Sequence, residues 1–138
     1  RGYLTRAAQE ATNDRDRRVY EGALAFTEVL HRVPVLVIPC IEGRVDGAPN
    51  GVVASSYGSI LPAAWSFLLA LRSRGLGSGW TTRHLFQERE VAGLLGIPDT
   101  VTQVALFPVA YTIGTDFRPA ARRPVEEVTF VDTWGTPP

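Results

Sequence analysis

Cysteine is nearly missing from this sequence and methionine is missing altogether, with Cys40 standing alone among 138 residues. A single thiol excludes a disulfide framework and a cysteine metal cluster, and it suits a reducing compartment. An excess of one charge is also lacking, because fourteen basic residues balance fourteen acidic ones. That balance removes the electrostatic basis for a general nucleic-acid or polyanion binder. No basic segment followed by an apolar one opens the chain, and its longest apolar run is shorter than the ~20 residues that span a bilayer. The expectation is a cytoplasmic protein with no nucleic-acid and no membrane partner. The chain opens on Arg1, inside what reads as a helix, so it is expected to be the C-terminal part of something longer.

Side-chain templates for catalysis are missing as well. No G-x-S-x-G elbow surrounds any serine. The stretch G-L-G-S-G-W at 75–80 is neither a dinucleotide fingerprint nor a P-loop, for which the chain has no lysine. His31 and His84 are far apart and belong to no metal-ligand pattern, so no metal site is expected. Cys40 borders an apolar run, where a thiol is inert packing. A reaction here has to be carried by a cofactor.

What is present is a core-forming domain, 45% hydrophobic and 20% charged. Leu4, Ala7, Ala8 and Ala11 fall on one face of a short helix from Tyr3 to about Thr12. Asn13 and Asp14 interrupt it and can cap a second, amphipathic helix from Asp16 to His31. Val33-Pro34 ends that helix, and Val35–Ile38 reads as a strand buried on both faces. Residues 41–57, rich in Gly and Pro, read as a long mobile loop. From Ile60 to Leu71 every residue but Pro62 and Ser66 is apolar, which gives a helix greasy on all sides, with Ser59 as cap, Pro62 in the first turn, Arg72 and Arg74 at its end and Gly75 as the left-handed stop. Glu88–Gly96 forms a small helix. Val101–Ile113 is the strongest strand, with Pro108 restricted to an edge or bulge. The tail from Val125 has little core of its own. The order of elements gives an α+β domain spanning residues 1–138.

The blocks V-P-V-L-V-I-P (33–39), L-L-A-L-R-S-R-G-L-G-S-G-W (68–80), E-V-A-G-L-L-G-I-P (90–98), A-L-F-P-V-A-Y (105–111) and R-R-P-V-E-E-V (122–128) occur in an order that resembles the nitroreductase family. The resemblance runs from about Asp16 to Val128 and corresponds to the C-terminal half to two-thirds of that family. It implies a three-layer α+β sandwich with a central mixed sheet, assembled as a homodimer through the apolar helix, with FMN in clefts made by both subunits. It implies that Trp80, Thr81, Thr82 and Arg83 run under the flavin, with backbone amides toward its N5 and O4 edge. Arg122, two positions before Pro124, and beside it Arg123, are implied at the cofactor phosphate. No side chain is implied as catalytic. The implied activity is hydride transfer from NAD(P)H to a nitroaromatic, a quinone or a similar acceptor. The alternatives are an inactive binding protein on the same fold and a deazaflavin-using relative. The sequence departs from the family pattern in three places. The Arg-rich N-terminal phosphate motif has no counterpart, Ser66 stands where many members carry Asn, and Arg83 stands where Gly is frequent.

Overall fold

The computed structural model describes residues 2–138 except 115 and 117. Helices α1 (Gly2–Glu10) and α2 (Asp14–Val29) pack on each other, and a 3-10 turn at Leu30–Arg32 follows α2. Asn13 caps α2, its side-chain oxygen accepting the Asp16 amide at 2.8 Å. Strands β1 (Val35–Val37) and β2 (Cys40–Glu42) follow on either side of Pro39. Helix α3 spans Asn50–Arg72 and leads through Gly75, at φ 74°, into β3 (Leu76–Ser78). A 3-10 helix at Arg83–Gln87 runs into α4 (Glu88–Leu95), which Gly96 closes in the left-handed conformation at φ 68°. Strands β4 (Val101–Gln103) and β5 (Phe107–Tyr111) complete two sheets, ordered β1-β5-β3 and β2-β4. The architecture is α+β, as the element order predicts. Its named strand pairs are all antiparallel, and the mixed character expected of the sheet is confined to an isolated parallel bridge, Gly43 to Val101.

The core lies between α3 and the three-stranded sheet. Ala64 and Leu71 of α3 meet Ala105, Phe107 and Val109, with Phe67, Leu68, Val37 and Leu76 packed around them. Phe107 is 1% exposed, and Phe67 stacks on it at 6.0 Å between ring centroids.

Three sequence expectations are corrected. Helix α3 begins at Asn50, so the second half of the expected 41–57 loop is helical. The carbonyl of Pro49 accepts the amides of Val52 and Val53 and starts the helix despite its glycines and β-branched residues. Ser59 and Pro62 therefore lie mid-helix; the Ser59 hydroxyl donates to the Ser56 carbonyl at 2.7 Å instead of capping. At 23 residues α3 is also long and apolar enough to cross a membrane by length and composition. Among its residues only Ala64 and Leu71 are buried, while Trp65 and Leu69 are 58% and 54% exposed. Strand β1 is not buried on both faces either, since Val35 and Leu36 are each about half exposed.

The third correction concerns Pro108. It sits in the central strand β5, opposite Leu36 of β1. On its other side the β3 ladder runs to Ser78↔Val109, stops, and resumes in the same register at Thr81↔Leu106. The gap falls opposite Pro108, which has no N–H to give Gly79. A proline is thus accommodated inside a sheet by a break on one side of its strand.

Candidate functional site

The register across that break places Trp80 beside Phe107, and their rings meet edge to face at 4.9 Å and 62°. Thr81 is fixed by two hydrogen bonds: its amide donates to the Leu106 carbonyl at 3.2 Å and its carbonyl accepts the Leu106 amide at 2.7 Å. Peptides here are trans, so the C=O and N–H of one peptide unit point in opposite directions. With the Thr81 carbonyl turned to β5, the Thr82 amide faces away from the sheet. With the Thr81 amide turned to β5, the Trp80 carbonyl also faces away. The open edge therefore presents one backbone donor and one backbone acceptor side by side, and neither has a partner among the described residues.

Arg83 starts the 3-10 helix, and its amide donates to the Thr81 hydroxyl at 3.3 Å. Its guanidinium lies 4.7 Å from the ring centroid of Tyr3 in α1 and 4.8 Å from that of Phe86. Beyond the turn, Glu88 anchors α4 to the second sheet. Its carboxylate accepts the Gln103 amide at 3.0 Å and a two-pronged contact from Arg44 at 2.9 and 3.1 Å, while its carbonyl accepts the Gln103 side-chain amide at 2.9 Å. Arg44 also reaches Asp46 at 2.6 Å. The Arg44 hydrogen bonds hold the carboxyls of both Glu88 and Asp46 below the usual range. His84 has both ring nitrogens buried without a partner among the described residues, and burial pushes its pKa down despite the nearby Glu88.

The four expected residues at 80–83 are consecutive in the chain, and their backbone groups are not equally available. Thr81, expected to offer its amide, has spent it on Leu106, and the available groups belong to Thr82 and Trp80. Arg122 lies in an exposed loop, where its guanidinium donates to the carbonyls of Ala120 and Ala121 at 3.2 and 3.3 Å. No hydrogen bond, ion pair or ring contact joins Arg122 or Arg123 to residues 80–83 among the described residues. Sequence reading missed Tyr3 and Glu88, whose contacts cross the fold, and Phe86, three residues on from Arg83 in the same 3-10 helix. Cys40 is exposed at the start of β2 rather than packed inside, and burial nevertheless raises its thiol pKa, so it is no activated nucleophile. No group of acidic, His or Cys residues suited to a metal is found among the described residues.

The model of the nitroreductase family matches residues 3–111, well over half of the chain. The chain belongs to the nitroreductase family. The match begins ahead of Asp16, from which the resemblance was read, so it takes in α1 and most or all of every later element through β5. It ends before Arg122 and Arg123. Nitroreductase membership places the chain among flavin-dependent oxidoreductases, and its open edge at Trp80–Thr82 lies inside the matched region.

Proposed function

We propose that this chain is an FMN-dependent oxidoreductase, passing hydride from NAD(P)H to a nitroaromatic, a quinone or a similar small acceptor. It works as a cytoplasmic homodimer, with no nucleic-acid or membrane partner. The observation that carries the proposal is the outward-facing amide of Thr82 beside the outward carbonyl of Trp80, in a chain of this family. A flavin's pyrimidine edge alternates acceptors with a ring N–H, and a fixed donor next to a fixed acceptor fits that edge. Bound FMN supplies a ring that accepts a hydride equivalent from the reduced nicotinamide and returns it to the acceptor.

The protein's part is positional and electrostatic. The Thr82 N–H is a preoriented dipole, fixed on one side by the Thr81–Leu106 pair, so it needs no rearrangement when negative charge develops at the ring edge. Trp80, 40% exposed and backed by Phe107, offers an aromatic wall that displaces water. Arg122 retains guanidinium donors with no partner among the described residues and suits a phosphate. The exposed apolar face of α3, with Leu61, Trp65 and Leu69, supports a second copy as its cover.

The test is optical. Purified protein supplied with FMN should acquire the flavin absorption bands, lose them anaerobically on addition of NADH or NADPH, and regain them with a quinone or nitroaromatic. Bound flavin that neither nicotinamide bleaches would favour the inactive binding protein, and a chain that never takes up flavin would remove the proposal.

A further inference from the structure

Arg83 lies in the candidate site, yet its charged end is turned to two aromatic rings rather than to an open cleft. A guanidinium is flat and weakly hydrated, so it can lie between two rings and gain from both, whereas a lysine ammonium is a compact, strongly hydrated charge. The two rings come from different parts of the chain. Phe86 belongs to the same 3-10 helix as Arg83, and Tyr3 belongs to α1, more than seventy residues earlier. Helices α1 and α2 pack chiefly on each other. The Tyr3–Arg83 contact therefore ties the helical pair to the turn that carries the open edge.

The position of this contact matters. On the upstream side, Thr81 is held to Leu106 by both of its backbone groups. On the downstream side, the backbone of Arg83 is held by its bond to the Thr81 hydroxyl, and its side chain by the two rings. A single residue, Thr82, lies between these anchors, and its carbonyl is taken by the Leu85 amide at 3.1 Å. Its N–H is the one backbone group of that residue left for a ligand. Freeing Arg83 releases the downstream anchor while the upstream one stays.

We propose that Arg83 is a positioning residue, clamped between Tyr3 and Phe86 so that the Thr82 amide keeps its outward direction, with Tyr3 extending the site's support into α1. The proposal rests on the assignment of residues 80–83 to the flavin edge. A donor at that edge favours the electron-rich reduced flavin over the oxidised one, so the clamp sets the ratio of the two affinities rather than the binding of FMN as such.

The experiment uses the full chain with added FMN and compares Arg83→Lys, Arg83→Ala, Tyr3→Ala and Tyr3→Phe. Affinity for oxidised FMN is measured by titration, and the reduced-to-oxidised ratio from the midpoint potential. Arg83→Ala, Arg83→Lys and Tyr3→Ala are expected to lower that ratio by about fivefold, the loss of one neutral hydrogen bond. Tyr3→Phe keeps a ring and should preserve it. Unchanged ratios in all variants that bind FMN overturn the proposal. If the wild-type chain binds no FMN, the flavin assignment itself has failed, and amide exchange in the flavin-free chain decides the clamp. Arg83→Lys and Tyr3→Ala should then accelerate exchange about tenfold or more at the amides of residues 83 and 85, which are bonded to the Thr81 hydroxyl and the Thr82 carbonyl, leaving Leu106 protected. Unchanged rates at residues 83 and 85, or acceleration throughout the chain, refute it.

Discussion

His84 illustrates how one residue near the site can cost stability without serving the chemistry. Both of its ring nitrogens are buried without partners among the described residues, and the desolvation that lowers its pKa also makes its protonation unfavourable in the folded chain. A depressed folded-state pKa means that the unfolded chain takes up the proton first, so stability falls as pH drops below the ordinary value of 6.5 toward the lower folded value. Glu88 acts in the same direction at lower pH. Its Arg44-stabilised carboxylate contributes fully above the ordinary 4.5, and the contribution is lost as pH falls through the depressed folded-state value. His84→Leu is expected to stay within about 1 kcal/mol of wild type or exceed it at neutral pH, because a buried unsatisfied group is removed. It should also abolish the decline just below 6.5, leaving the carboxylate decline in place. Urea midpoints measured on both sides of that value check this; a His84→Leu variant that keeps the full decline would assign it elsewhere.

At the scale of elements, patterns confined to neighbouring residues were legible and those fixed across the fold were not. The Asn13 cap, the Gly75 and Gly96 stops and the α4 segment follow from local chemistry, and the structure has them where the residues predict. The extent of α3 escaped because Gly51, Val52, Val53 and Gly58 are poor helix formers, and the apolar contacts farther along the helix outweigh that local preference. Pro108 escaped for a different reason: the gap that accommodates it is made by the partner strand. The candidate run 80–83 came from the resemblance, but that the Thr81 amide is taken and the Thr82 amide is open depends on which groups face Leu106, and no local pattern carries that. Pro62 remains a strain inside α3, removing the hydrogen bond to the Gly58 carbonyl. Replacing this exposed residue with alanine should stabilise the protein by about 1–3 kcal/mol, seen as a higher thermal midpoint with the circular-dichroism spectrum preserved. A lower midpoint would mean that the proline ring itself is packed to advantage.

For the molecule as a whole, the unresolved account is that of apolar surface. Trp65 and Leu69 lie on a helix whose opposite stripe is the core, which makes lipid on all sides a poor match for α3 and a second protein surface a good one. Trp65→Glu places a charge in that surface. In a dimer it should weaken self-association by at least about 30-fold, as loss of a buried aromatic anchor does, while leaving the monomer folded. Sedimentation in detergent-free buffer reads both effects; a wild-type chain that stays monomeric at high concentration would leave α3 to another partner.

The position of α3 in the chain also matters during synthesis. Its last residue, Arg72, is made well before Phe107, the first residue of the strand that covers its packed stripe. At about 5–20 residues per second, translation leaves that stripe without β5 for on the order of 2–7 seconds. Throughout that interval the stripe has only Val37 and Leu76 of its later core neighbours to pack against, while the face with Trp65 and Leu69 stays exposed.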